Sequence, residues 1–327
     1  MSPAPLGSPG TSAYAVVAEV VRSDFVEGVH LGAAVVLEPD GTPAVTLGDP
    51  DAAVLPRSAA KPLQSVAMVR AGLDLPPDLL ALATASHSGE PRHLAGVRRI
   101  LEAGSIPVEA LANTPDLPLG RSERAAWTRR SEPPSSLAQN CSGQHAAMLL
   151  TCRLRGWRLE GYLDPEHPLQ RAVLDGLADL CGCPLGPVAV DGCGAPTCAI
   201  PLTGLARAFA AIASAPVGTA EGRVAAAVSG HGDLLAGTGR EVSRLLAAVP
   251  GLVAKDGAEG VFAAALPSGD ALALKIADGG SRAVWPVAVH LLRRAGVGDP
   301  VLDSLADVPV LGHGQPVGRV RAVAPKS

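Results

Sequence analysis

Apolar, β-forming residues concentrate in two early runs, 14–21 and 31–37, and both predict strands. Pro39-Asp40-Gly41 follows the second run and precedes a third at 43–47, so these residues predict a hairpin around a tight turn. The apolar spacing then changes from two to between three and four. Leu63, Val66, Ala67 and Val69 predict a helix that starts near Ser58 and stops at Gly72, because Pro62 is tolerated only in or near a first turn. Further helices are predicted over 77–85, 93–103, 146–154, 170–180, 201–213 and 221–229, with a short strand at 188–190. Two apolar runs, 261–265 and 271–277, flank Pro267-Ser268-Gly269-Asp270 and predict a second hairpin, followed by a last helix over 281–295. Residues 113–136, with several prolines and scattered charge, read as a long loop that covers a site or links parts of the fold. Strands at both ends with helices between them predict an α+β sandwich: a mainly antiparallel sheet of N- and C-terminal strands packed with helices.

Composition narrows the classes. The 327 residues are enough for one large core or two modest domains, and 47% of them are hydrophobic. A net charge of −4 without a basic tract argues against a nucleic-acid surface or a polybasic membrane anchor. Aromatic residues make up only 2%, so a stacking platform is not expected, and a small, polar-tipped pocket is. No apolar run reaches the length of a membrane span. The Pro/Gly/Ser-rich start lacks the charged and apolar regions of a signal peptide, so residues 1–12 are expected to be a disordered leader and 13–327 a single catalytic domain. A cytoplasmic location is the corresponding expectation. There the six cysteines stay reduced and serve as buried small hydrophobes, metal ligands or reactive thiols.

The candidate chemistry centres on Arg57-Ser58-Ala59-Ala60-Lys61-Pro62-Leu63-Gln64. On a helix, Ser58 and Lys61 share a face, and a partly desolvated lysine can act as base for a serine nucleophile. The same Ser-x-x-Lys spacing serves acyl transfer in β-lactamases and penicillin-binding enzymes, but the spacing alone also fits a capping serine followed by a solvated lysine. Ser86-His87-Ser88-Gly89-Glu90-Pro91-Arg92-His93 is a turn too dense in polar groups for ordinary core, and Lys275 interrupts an otherwise apolar strand. His87, His93 and His145, taken singly, read as hydrogen-bonding structural residues, and Cys181-Gly182-Cys183 lacks a partner pair for a metal.

Five blocks in order carry a resemblance to a known family: the Ser58 block, Ala85-Ser86-His87-Ser88-Gly89-Glu90, Asn140-Cys141-Ser142-Gly143-Gln144-His145, Asp191-Gly192-Cys193-Gly194-Ala195-Pro196, and Gly257-Ala258-Glu259-Gly260-Val261-Phe262 with Lys275-Ile276-Ala277-Asp278-Gly279. Together they resemble the asparaginase II family, the serine/lysine L-asparaginases of the Rhizobium etli type. The resemblance implies a fold similar to the serine β-lactamase and glutaminase group. It also implies hydrolysis of L-asparagine to aspartate and ammonia, and a homodimer. Two Ser–Lys pairs are implied: Ser58 with Lys61, and Lys275 with Ser86 or, as the alternative, Ser88. Asp191 and Arg240 are assigned to the substrate's amino and carboxylate groups, with His87, Cys141 and Cys193 in the same pocket. No cofactor is required. The family's metal position is similar to a zinc site of two cysteines and a lysine. Here the cysteines match Cys141 and Cys193, but the lysine position is Gln144, a poor ligand, so zinc depends on His145 or a water taking its place. Other readings are a different Ser-x-x-Lys acyl hydrolase, glutaminase- or β-lactamase-like, and a non-catalytic amino-acid- or zinc-binding relative.

Overall fold

The structure is a computed structural model and describes residues 10–323. Residues 1–9 of the expected leader lie outside it, and Thr11–Ala13 form a short 3-10 turn. The chain opens with β1 (Ala15–Arg22), β2 (Phe25–Leu37), β3 (Pro43–Leu47) and the two-residue β4 (Ala53–Val54). A second 3-10 turn, Arg57–Ala60, runs directly into α1 (Lys61–Arg70), followed by α2 (Pro77–Ala83), α3 (Pro91–Ala103), α4 (Arg121–Arg129), α5 (Ser142–Arg155) and α6 (Pro168–Cys181). Three short strands, β5 (Val188–Val190), β6 (Pro196–Cys198) and β7 (Ile200–Pro201), precede α7 (Leu202–Ala213), α8 (Ala220–Gly230), α9 (Gly232–Leu235) and α10 (Glu241–Ala248). The chain returns to sheet with β8 (Val253–Gly257), β9 (Val261–Ala265) and β10 (Ala271–Ile276). It closes with α11 (Val284–Arg294), α12 (Val301–Ala306), β11 (Pro309–Gly312) and β12 (Gln315–Ala322).

The expected α+β architecture is present. The main sheet runs β11-β12-β1-β2-β10-β9-β8, with β3 also on β2, and its pairings are antiparallel. N-terminal strands thus sit between C-terminal ones. The thirteen residues of β2 make this possible: one half pairs with β1, while Ala33–Leu37 pair with β10. Every residue of β9 is buried, as an inner strand covered on both faces must be. On one face Phe262 meets Trp285 of α11, with ring centroids 5.3 Å apart. The small side chains of Ala263, Ala265, Ala271 and Ala273 lie on the other face and let helices and turns approach the strands closely.

Several elements depart from the sequence expectations: α9, α10, α12, β11 and β12 were not read, and neither were α4 and β8, which bear on the site. The long loop contains α4, whose sequence is polar and buries no side chain fully, so it carries no apolar stripe to read. β8 went unread because Lys255, Asp256 and Gly257 make up more than half of it and resemble a turn. β8 is nevertheless the edge of the sheet, and it packs on the Arg57–Ala60 turn.

Candidate active site

The turn at Arg57–Ala60 sets the position of Ser58. Arg57 has φ +52°, a left-handed conformation that costs a non-glycine residue about 1–3 kcal/mol and persists only where its surroundings hold it. The holding contact is an ion pair from Arg57 Nε to Asp191 Oδ1 at 2.7 Å, and the same oxygen accepts the Gly192 amide at 2.6 Å. Asp191, expected to meet a substrate amino group, therefore commits one oxygen to the turn. Pro62 falls in the first turn of α1, as expected from its missing N–H. Ser58 is partly exposed, and among the described residues its hydroxyl makes no hydrogen bond.

Lys61 follows one turn later, and only 2% of it is exposed. Its Nζ donates to Ala85 O at 2.6 Å, lies 3.2 Å from Ser86 Oγ, and donates to Cys141 Sγ at 3.0 Å. Burying an ammonium is tolerable only with such partners. Between Ser86 and Ser88 the structure distinguishes sharply. The Ser88 hydroxyl donates away from Lys61, to Ala236 O at 3.0 Å. The backbone of this segment is tied on both sides, Ser86 N to Leu235 O and His87 N to Asn140 O, each at 3.0 Å. Ser86 is thereby fixed against Lys61.

The expected pairing of Lys275 with Ser86 is not formed. Lys275 Nζ donates to Glu259 O at 2.5 Å and Ile276 O at 2.7 Å. The strand register explains why. Lys275 lies opposite Val261, and Val261 opposite Gly257, so all three form one row on the same face. Gly257 touches the serine turn: a Cβ there would stand 2.7 Å from Pro56 O and 3.1 Å from the Ala59 amide. Lys275 thus stands two strands in from that contact, near Arg57, and burial lowers its pKa. The lysine on the edge strand itself is Lys255, which is fully buried. Its Nζ donates to Asp256 Oδ1 at 2.6 Å and to Asp256 O at 2.7 Å. Burial pulls the Lys255 ammonium down to about 8; Asp256 opposes this, and the positive charges of Lys61 and Arg240 add to it. Burial alone would raise the Asp256 carboxyl, but Lys255 and Arg240 outweigh it and hold it at about 2. Arg240, expected to bind a carboxylate, is already engaged with Ser86 O at 2.5 Å and Asp256 Oδ2 at 2.8 Å. A polar-walled cleft lined by Ser88, Glu90, Arg121, Glu123, Arg240 and Ser281 leads up to it. Two of these residues come from α4, so the segment read as a loop lines this cleft.

Cys141 and Cys193 do meet. The neighbouring Cys193 thiol and then the Lys61 ammonium draw the Cys141 pKa down against its burial, while Cys141 and burial raise that of Cys193. The other residues of the expected zinc shell are engaged elsewhere. Gln144 donates to Gln64, and His145 turns Nδ1 to the Tyr162 hydroxyl at 2.8 Å. Burial and then Lys61 hold His145 neutral, with a pKa of about 3. Among the described residues no three His, Cys, Asp or Glu side chains converge on one point, so this donor set does not fit a resident zinc ion. His87 Nε2 lies 2.9 Å from Ser142 Oγ, and its ring stacks on His93; burial lowers its pKa well below the usual value, then His93 and Lys61. His93 closes the capping box of α3 with Glu90.

This constellation belongs to a hydrolase acting on amides. The chain is a member of the L-asparaginase II family, whose model matches residues 18–322. No curated protein matches the chain. Among solved structures, it is similar to a β-lactamase from Mycobacterium bovis at 17% identity and TM-score 0.44, over 81% of this chain and 95% of that one. Mglu in its tris and glutamate form is similar at 15% identity and TM-score 0.43, over 86% of this chain and 62% of that one. A Bacillus glutaminase is similar at 14% identity and TM-score 0.36, over 80% and 90%.

Lys255, its neighbour Asp256 and Arg57 escaped the sequence reading as site residues. Lys255 had a usable signal: Lys255-Asp256-Gly257 has the Lys-x-Gly form of the Lys-Thr-Gly strand motif that accompanies Ser-x-x-Lys in β-lactamases. Arg57 stood inside the recognised block but was given no role.

Proposed function

We propose that the protein is an L-asparaginase that cleaves the side-chain amide through an acyl-enzyme on Ser58, with no metal required. The observation that carries this reading is the buried Lys61, which reaches from the first turn after Ser58 to the Ser86 hydroxyl at 3.2 Å. Ser58 Oγ attacks the amide carbon and its proton passes to Lys61. The oxyanion takes the amide of Ser58 itself, since the Ala59 amide already donates to Pro56 O. Ser86 relays the proton from Lys61 to the departing nitrogen, which leaves as ammonia. Water then attacks the ester and releases aspartate. The second buried lysine, Lys255, sets the electrostatics: burial, with Lys61 and Arg240 close by, lowers its ammonium to about 8. For the substrate's ends, Asp191 offers the ammonium its second oxygen. Arg57, whose Nε holds Asp191 while its Nη1 lies a looser 4.0 Å from Glu259, is better placed for the carboxylate than Arg240. The reading extends to a homodimer in the cytoplasm; among the described residues no helix is long and apolar enough to cross a membrane.

The test is ammonia release from L-asparagine by wild-type protein and Ser58→Ala, with L-glutamine and other small amides in parallel. Turnover of asparagine that Ser58→Ala abolishes supports the proposal. Asparagine binding without ammonia release supports a non-catalytic relative instead, and turnover only of another amide reassigns the substrate.

A further inference from the structure

The tip of the β8–β9 hairpin carries a carboxylate that takes no part in the proton transfers. Gly257 pairs with Val261, which leaves Ala258, Glu259 and Gly260 to make the turn. Glu259 and Gly260 are both left-handed, with φ +59° and +68°, a conformation that tight hairpin turns normally give to Gly, Asn or Asp. A glutamate keeps it only where its surroundings impose it. Two contacts do so here. The Lys275 ammonium donates to Glu259 O at 2.5 Å, and the bare backbone of Gly279 makes room for the side chain, since a Cβ there would collide with Glu259 Oε2. The carboxylate is thereby held on the side of the serine turn, where Oε1 lies 4.0 Å from Arg57 Nη1.

Arg57, the residue before Ser58, therefore stands between two carboxylates that differ in how far they are committed. Asp191 Oδ1 is taken by Arg57 Nε at 2.7 Å and by the Gly192 amide at 2.6 Å. Glu259 is free: among the described residues its carboxylate accepts no hydrogen bond, and 60% of the side chain is exposed. An α-amino acid carries a carboxylate and an ammonium on one carbon, so a guanidinium flanked by an uncommitted carboxylate matches both groups at once. We propose that Glu259 is the specificity residue for a free α-ammonium group: with the substrate's carboxylate on Arg57, its ammonium lies between Glu259 and the second oxygen of Asp191. This rests on the proposed function only in taking the substrate to be an α-amino acid derivative. The site then selects free amino acids over amides that lack the ammonium or carry it acylated, as an asparagine inside a peptide does. Such amides would strip water from the carboxylate without giving it an ion pair.

The experiment compares L-asparagine with succinamic acid, the same amide without the amino group, in wild type, Glu259→Gln and Glu259→Gly. Wild-type kcat/KM favours L-asparagine. In Glu259→Gln that preference shrinks by about tenfold, mainly through a higher KM for L-asparagine. Glu259→Gly suits left-handed backbone better and keeps the turn, so it shows the same loss of preference without a lower melting temperature. Equal losses on the two amides mean a merely structural role and overturn the proposal, as does a preference that survives both substitutions. Calorimetric titration of the three proteins with L-aspartate and succinate reads ammonium recognition without turnover. A wild-type preference for L-aspartate that Glu259→Gln removes supports the proposal even if no ammonia is released from L-asparagine, a result that would sink only the asparaginase assignment. Wild type that binds the two diacids alike, or binds neither, overturns it.

Discussion

Replacing Asp256 with Asn keeps the size of the side chain and removes the one carboxylate in contact with Lys255. That carboxylate lies 2.6 Å from Nζ and opposes the burial that lowers Lys255 to about 8. With it gone, burial and the repulsion from Lys61 and Arg240 act unopposed, so the site loses its proton more easily. An opposite charge this close shifts a pKa by about 1–3 units, or about 1.4–4 kcal/mol, in keeping with about 4 kcal/mol for unit charges 4 Å apart at an effective dielectric near 20. In the proposed mechanism kcat follows the proton of the Lys255 ammonium, the amine lowered to about 8, and rises with pH as that proton leaves. In Asp256→Asn that rising limb moves to lower pH by about 1–3 units. The assay is the pH profile of kcat for ammonia release from L-asparagine, with circular dichroism at each pH to exclude unfolding. A limb that stays at the wild-type position, or moves upward, refutes the view that the buried lysine pair supplies the titrating proton.

Gly257→Ala places a Cβ 2.7 Å from Pro56 O and pushes the edge strand off the serine turn; kcat falls by about a hundredfold while the secondary structure is retained. Gly257 does not occupy the left-handed region, so the loss reports the contact and not backbone strain. Arg57→Ala and Asp191→Ala each release the left-handed turn, and a double-mutant cycle on kcat/KM returns a coupling of about 1–3 kcal/mol between them. Additive losses contradict the clamp. Lys255 also predicts a stability trend. Below about pH 8 its ammonium is charged in both states and the burial penalty is fully present; between about 8 and 10.4 the unfolded chain binds more protons, so stability rises with pH. Urea melts at pH 7.5 and 10 should show wild type gaining about 2.4 kcal/mol relative to Lys255→Met between those two values.

Much of the fold was legible because the chain writes it in periodicity. The hairpins at 43–47 and 261–277 were visible from apolar runs around Pro/Gly turns, and α1 from Pro62 and the spacing of Leu63, Val66 and Ala67. α4 was not, since a surface helix with charge on every face leaves no stripe. At the site, Ser58 and Lys61 were legible from spacing, and Ser86 from the density of polar residues around it. Their connectivity was not. Which lysine faces the serine turn is decided by strand order, and a sequence without an alignment does not reveal that β8 is the edge and β10 lies two strands in. Lys275 looked anomalous because it interrupts an apolar strand. Lys255 attracted no notice because Asp256 and Gly257 beside it imitate a loop. The roles given to Asp191 and Arg240 ran into a similar limit, for sequence shows a charge but not the partner that already holds it.

The central claim is that Ser58, and not the Ser86 hydroxyl beside Lys61, carries the acyl group. The direct measurement is rapid acid quench of wild-type protein turning over L-asparagine, followed by peptide mass mapping. An aspartyl ester on the peptide containing Ser58 is the predicted result. An ester on Ser86, or ammonia release with no ester on either serine, contradicts it.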